Sequence, residues 1–386
     1  MCTRMVFAFL LVPIALLPAP GNIAWGQKKY TFERPAMGSP FTITVVADDS
    51  LAAARAAAAA FRLTDTLNGI LSDYVDSSEI NRLSATSGQG RFITVSPPLF
   101  DILRRAQEAA RLSKGCYDIT IGPVVRLWRK ARKTGIPPTR EQIAAALLHT
   151  GYRYLHLDTA NHSVWLEKPG MQLDVGGLGK GFVAQAALRR IGEMGFSVVM
   201  VNAGGKIVTG LAPGTSEKGV NGLGAGAGPG WIIGINAPGE KERLLPTLLS
   251  LREMAVATSG DIYQYMEWRG RRYSHIIDPR TGIGLTRSRN VTAIAADGTT
   301  ADWLATACSI LTYRQALRLV RHFPGAALLI TEMKQGEIIQ KSSINFKKYQ
   351  LPDAPARPIS SAYFFLRPDQ PDPVSQERAC TVFSAV

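Results

Sequence analysis

The chain has 386 residues, 46% of them hydrophobic, with 44 basic against 30 acidic side chains and a formal charge of +14. That length suits one large domain or two smaller ones and excludes a small disulfide scaffold. The positive surplus favours an anionic partner, but the basic residues are dispersed in short clusters such as RLWRKARK (126–133) and RGRR (269–272), with no base-reading motif, so a phosphorylated small molecule or an anionic membrane surface fits better than nucleic acid.

In chain order, the first 26 residues read as an export signal: one arginine, an apolar run from Met5 to Leu17, then small residues and Ala24-Trp25-Gly26 as a cleavage site. The run falls short of the roughly 20 residues a spanning helix needs. Beyond it lie Cys116, Cys308 and Cys380, without metal or disulfide spacing. TFERPAMGSPFTITVVA (31–47) predicts a strand, and the alanine-rich 50–71, with Phe61, Leu63, Leu67 and Ile70 as its bulky face, predicts a helix. SDYVDSSEINRLSA (72–85) breaks it. Ser96-Pro97-Pro98 opens another helix, since proline fits a first turn, and Gly115 ends it. Thr139 to Gln142 is a capping box, and YRYLHLD with SVWLEKP reads as a hairpin.

MQLDVGGLGKGFVAQAALRRIGEMG (171–195) predicts a strand, a glycine-rich turn and a helix, and SVVMVNAGGKIVTG (197–210) a strand entering a glycine pair. Residues 212–230 have almost no bulky side chains and read as a flexible insertion. Strands are expected at WIIGIN, EMAVATSG, RYSHIID, NVTAIAA and ALLITE, and helices at 299–313 and 314–322. The body, 27–351, is one domain with a mixed α and β core, followed by a proline-rich peripheral tail, 352–386.

Three stretches could carry chemistry. Glycines 176, 177, 179 and 181 in LDVGGLGKGF would let backbone N–H groups approach an anion at a helix N-terminus beside Lys180, although the spacing matches neither standard nucleotide pattern and a ligand-free strand-to-helix turn is an equal reading. On a helix through 297–311, Asp302 and Thr306 share a face and offer hard oxygen ligands to Mg²⁺; alternatively Asp302 only favours the helix N-terminus. His275 precedes a turn, Asp-Pro-Arg-Thr-Gly, with more polar machinery than a hairpin needs, whereas an isolated histidine is usually a hydrogen-bonded core residue. Tyr74 and Tyr117-Asp118 lie on loops where an aromatic could stack on a planar ring or cap the core.

Together, MGSPFTITV, SDYVDSSEINRL, YDITIGPVVRLW, LDVGGLGKGF, VNAGGKIVTG, ATSGDIYQYM, YSHIIDPRTG and the Asp302–Thr306 helix resemble, in order and separation, the ApbE family of FAD:protein FMN transferases. The resemblance covers about Met37 to Leu311 and implies an α+β, ApbE-like (T-fold-like) core of mixed sheets with packed helices and the flavin between two lobes. It further implies an Mg²⁺-dependent periplasmic enzyme that splits FAD, attaches FMN by a phosphoester bond to a serine or threonine of an acceptor flavoprotein subunit, and releases AMP. Carried onto this sequence, Met37, Tyr74, Tyr117, Asp118, Ile119, Lys180 and Ile276 would line FAD, and Asp174 would support the glycine turn. Gly177 (through its carbonyl), Asp302 and Thr306 would hold magnesium, while Ser259 and His275 would sit near the diphosphate. Within this reading Asp302 and Lys180 act on the phosphates and His275 serves as general base. Two departures stand out: Lys206 occupies a position where the family often has Asp or Asn, so no role is carried onto it, and the 212–230 insertion is long. Hydrolysis of FAD to FMN and AMP, and a non-catalytic flavin-binding accessory protein, are the competing readings.

Overall fold

The computed structural model describes residues 27–213, 230–238, 243–260 and 264–351; the expected export signal at 1–26, most of the glycine-rich stretch 212–230 and the stretch 352–386 lie outside the described residues. The described helices are α1 (Ser50–Leu71), α2 (Glu79–Ser84), α3 (Pro97–Leu112), α4 (Gly122–Thr134), α5 (Arg140–Leu147), α6 (Gly179–Gly192), α7 (Gly298–Ile310) and α8 (Tyr313–Val320). None of them is long and apolar enough to cross a membrane.

One eight-stranded sheet organises the molecule. Its spatial order is Lys28–Ala36, Ser39–Ala47, Val199–Ala203, Lys206–Thr209, Ala255–Ser259, Arg289–Ala295, Ala327–Lys334 and Glu337–Ser342. Every ladder in it is antiparallel. Side chains alternate between two cores, as period-two geometry requires. Ala255, Ala257, Val291, Ala293, Leu328 and Ile330 join the cluster under α1, α6 and α7. Val256, Ile294 and Leu329 face the opposite cluster, covered by the hairpin of Trp231–Asn236 and Leu244–Leu251. Each fully buried aliphatic side chain there contributes roughly 1.5–3 kcal/mol of transfer free energy.

Local chemistry explains the helix starts. Asp49 accepts a hydrogen bond from Leu51 N at the head of α1, and Thr139 forms the expected capping box with Gln142. The polar stretch 72–85 is not only a breaker: Ser78 caps α2, and Glu79 reaches across to Ser96, taking bonds from its N and Oγ at 2.6 Å each, which ties α2 to the cap of α3.

Several segments differ from the sequence expectation. The single strand expected over 31–47 is a hairpin, with Met37 at φ 50° and Gly38 at φ 69° making a tight turn with the positive dihedrals that match strand twist. Likewise 197–210 folds back at Gly204-Gly205, and RYSHIID is divided between the strands Arg271–Ser274 and Ile277–Asp278. MQLDV makes only an isolated parallel bridge, Ile121 to Gln172, because it runs beside a loop and not a strand. Helix α4 had read as a charge cluster; its buried stripe, Val124, Trp128 and Ala131, is too narrow to dominate the basic residues around it. That stripe and α5 form a separate small cluster with Met266 and Ile277, and Trp128 Nε1 donates to Gly282 O at 2.8 Å.

Candidate active site

The antiparallel sheet places several turns and strand ends on one rim. Met37-Gly38, Gly204-Gly205, the end of Ala255–Ser259 and the start of Arg289–Ala295 all lie there, as the pairings Phe41–Ala203, Ala257–Lys206 and Ser259–Val291 require. Helix α6 begins at this rim and α7 ends toward it. The Met37 methyl group reaches the start of α6: it lies 3.9 Å from where a Cβ on Gly179 would stand.

Where α6 and α7 cross, glycine lets the backbones touch. A Cβ on Gly181 would overlap the Gly298 carbonyl and stand 2.8 Å from Asp302 Cβ, so only hydrogen fits. The closeness allows Gly181 N to donate to Asp302 Oδ2 at 3.0 Å, and Gly298 N to donate to Gln185 Oε1 at 2.9 Å. Asp302 is 1% exposed. Its other oxygen, Oδ1, is buried without a hydrogen-bond partner among the described residues, an arrangement a carboxylate tolerates poorly unless a cation completes it. One turn on, Thr306 Oγ1 stands 3.2 Å from the Gly177 carbonyl, and a Cβ on Gly177 would press on the Tyr117 ring at 2.9 Å and on Thr306 at 3.1 Å. Thr306 Oγ1 and Gly177 O, with Asp302 Oδ1 one helical turn before Thr306, are hard oxygens of the type a magnesium ion accepts. No cluster of three His, Cys, Asp or Glu side chains with metal-binding proximity exists among the described residues, so this mixed set is the candidate.

Cations surround that carboxylate. Burial raises the Asp302 carboxyl, while Lys206, the Gly181 N–H and Lys180 pull it back down. Burial lowers the Lys180 ammonium, Lys206 lowers it further and Asp302 opposes them. Lys206 Nζ donates to Thr258 O at 2.8 Å, fixing it over the rim.

His275 faces the same charges. Its backbone N and its Nδ1 lie 3.1 and 3.0 Å from Gln264 O. A carbonyl can only accept, so Nδ1 carries the proton and Nε2 keeps a lone pair. Burial, then Lys206, Arg132 and Lys180, lower the imidazole to about 4, so the ring is neutral at neutral pH.

The remaining sequence-selected residues fall into two groups. Asp174 belongs to the site: its Oδ1 accepts from Gly176 N at 2.7 Å, bracing the glycine turn, and its Oδ2 takes Arg129 Nη2 at 2.9 Å. Arg129 also pairs with Asp73 and lies 3.9 Å over the Tyr74 ring, which is 69% exposed and so free to stack on something further. Tyr117 is buried against Trp303, its hydroxyl without a partner among the described residues and its pKa pushed well up by burial and by Asp302, Asp174 and Asp118. Asp118, in contrast, turns inward: Oδ1 accepts from Thr120 N and Oγ1, and Oδ2 from Tyr152 N, which ties its loop to the segment after α5. Ile119 and Ile276 are core residues at the site's edge, and Ser259 is buried at the strand end.

The model of the ApbE family matches residues 37–330. The chain belongs to the ApbE family. It is 33% identical over 279 residues to the FAD:protein FMN transferase of Treponema pallidum, covering 70% of this chain and 75% of that one. With the FAD:protein FMN transferase of Haemophilus influenzae it shares 30% over 288 residues, 73% and 80% of the two chains. The solved ApbE protein of Thermotoga maritima aligns with a TM-score of 0.71 at 28% identity, over 84% of this chain and 100% of that one.

Three residues of this ApbE-family site are given no role in the sequence reading. Lys206 is the strongest charge partner of Asp302, Arg129 joins Asp73, Tyr74 and Asp174, and Arg132 is a half-buried guanidinium felt by His275 and Tyr74. A signal existed for the arginines: they are three apart in RLWRKARK and share one face once that segment is read as a helix.

Proposed function

We propose that the chain is an FAD:protein FMN transferase that splits bound FAD and attaches FMN to a serine or threonine hydroxyl of an acceptor protein, with AMP leaving. The observation that carries this is Asp302 Oδ1: a buried carboxylate oxygen with no partner among the described residues, on the helix turn before Thr306, which reaches the Gly177 carbonyl, with two lysines and His275 close by. Asp302, Thr306 and Gly177 would hold Mg²⁺, which when bound polarises the diphosphate and offsets its charge.

The chain's own groups do the rest. The amides of the 176–181 turn with Lys180 and Lys206 bind phosphate oxygens, and the low dielectric of the buried pocket strengthens each contact. Tyr74, on its Arg129 shelf, gives the flavin ring a face to stack on. The acceptor oxygen bonds to the FMN phosphorus as the bond to the AMP oxygen breaks. His275 Nε2 takes the hydroxyl proton, and the Nδ1–H bond to Gln264 O holds the ring in the tautomer that can.

The N-terminal apolar run supports export, so the acceptor is a flavoprotein subunit of the cell envelope. Incubation of the full chain with FAD, MgCl₂ and such a subunit should give a covalently flavin-labelled band and stoichiometric AMP, both abolished by EDTA. AMP release at an equal rate without acceptor would point to hydrolysis, and labelling indifferent to EDTA would remove the metal from the reading.

A further inference from the structure

A second positively charged feature lies on the same rim, two strands along. The strand Arg289–Ala295 starts beside Ser259, and its first residue pairs with Glu332 on the next strand. There a cavity of about 230 Å³ is lined by Arg287, Arg289, Lys334 and Lys341 against the single carboxylate of Glu332. Arg289 is committed: it bonds Glu332 through Nε at 2.6 Å and closes the end of α7 by donating to Leu311 O at 2.9 Å and Ser309 O at 3.3 Å. Glu332 is thereby taken, with Lys334 3.6 Å from its other oxygen. Arg287 makes no hydrogen bond or ion pair among the described residues, and Lys341 only overlooks the Tyr313 ring at 5.6 Å. Ile330 and Ile339 give the cavity apolar walls.

The cavity therefore holds more positive charge than its own chain neutralises, with two cations whose donors are unspent. Its size suits one carboxylate-bearing side chain with an apolar stem. One of its lining residues, Arg289, begins the strand that pairs with Ala255–Ser259 and donates to the end of α7, the helix that carries Asp302 and Thr306. We propose that this pocket anchors an acidic side chain of the acceptor protein and so orients the acceptor's serine or threonine toward Asp302 and His275. The inference rests on the transferase reading, and charge complementarity across such a contact steers encounter and fixes register.

The test uses the full chain and two synthetic peptides, each with one threonine, flanked by glutamates in one and by glutamines in the other. Binding is read by fluorescence anisotropy at low salt, with inorganic phosphate as competitor. The wild-type chain should prefer the glutamate peptide roughly tenfold or more. Phosphate should erase that preference, and the Arg287→Glu/Lys341→Glu double variant should lack it while binding FAD normally. Equal binding of both peptides by the wild-type chain, or an undiminished preference in the variant, overturns the proposal. Flavin labelling of the threonine is scored separately: label without a charge preference sinks the pocket alone, and a charge preference without label sinks the transferase reading.

Discussion

Replacing Gly181 by alanine isolates the crossing on which the site is built. A Cβ there would stand 2.6 Å from the Gly298 carbonyl carbon and 2.8 Å from Asp302 Cβ. Ordinary carbon contacts lie at roughly 3.5–4 Å, so α6 and α7 must separate by about 1 Å. The obstacle is backbone, which cannot swing aside as a side chain would. Overpacking of this kind costs about 1–3 kcal/mol. Helix propensity works the other way, favouring alanine over glycine by about 1 kcal/mol in a helix interior. Gly192→Ala, at the last residue of the same helix with no described atom within 4 Å of the new methyl, supplies part of that propensity gain without the clash. Thermal unfolding of the three chains should place Gly181→Ala below the wild type and Gly192→Ala at or slightly above it. The same 1 Å opens the Gly181 N to Asp302 Oδ2 bond and displaces the carboxylate, so transfer should fall by as much as a hundredfold at temperatures where the variant is still folded. If Gly181→Ala matches Gly192→Ala in both Tm and rate, the helices do not touch there and the account of Asp302's placement is wrong.

Asp302→Asn should lower transfer roughly hundredfold or more, about 3 kcal/mol of lost electrostatic stabilisation, yet leave unfolding without metal unchanged or later, because a buried charge with one unpartnered oxygen is removed. The magnesium-dependent rise in Tm should vanish with it, and a variant that kept that rise would show the ion sits elsewhere. For His275, kcat/KM for FAD should stay level as pH falls through 6.5 and drop only toward 4, and His275→Gln should lose roughly 10²–10⁴ in rate; an acid limb centred near 6.5 would contradict the assignment. The same shift makes the unfolded chain bind more protons than the folded one between 6.5 and 4, so this ring's share of stability declines as pH drops across that window. Arg289→Met should destabilise the fold by roughly 3 kcal/mol, since it strands Glu332 and the carbonyls at the end of α7, and a shift of Tm within error would refute that role.

Much of the site was legible because its chemistry is local. Asp302 and Thr306 are four residues apart within a helix expected over 299–313, and the Gly176–Gly181 turn with its Lys180 announces a backbone that something must approach closely. Helix α1 runs over the residues expected, and so does the capping box of α5. Capping and amphipathicity act within a few residues, so a linear reading captures them.

The rest of the site depends on contacts across long separations in the chain. Lys206 looked like a departure from pattern, and becomes a partner of Asp302 because the Gly204-Gly205 turn and α7 meet at one rim. Arg129 looked like surface charge until Asp73 and Asp174, from two other segments, closed on it. The Asp118 carboxylate, on a residue expected to line FAD, joins its own loop to Tyr152 after α5. The tautomer of His275 is fixed by the carbonyl of Gln264, and its neutrality by burial among cations from three elements. Sequence sets which groups are available and which local shapes they take. Which charges lie within a few ångströms of each other is set by packing the sheet rim against α4, α6 and α7, and electrostatic energy varies with those distances and not with separation along the chain.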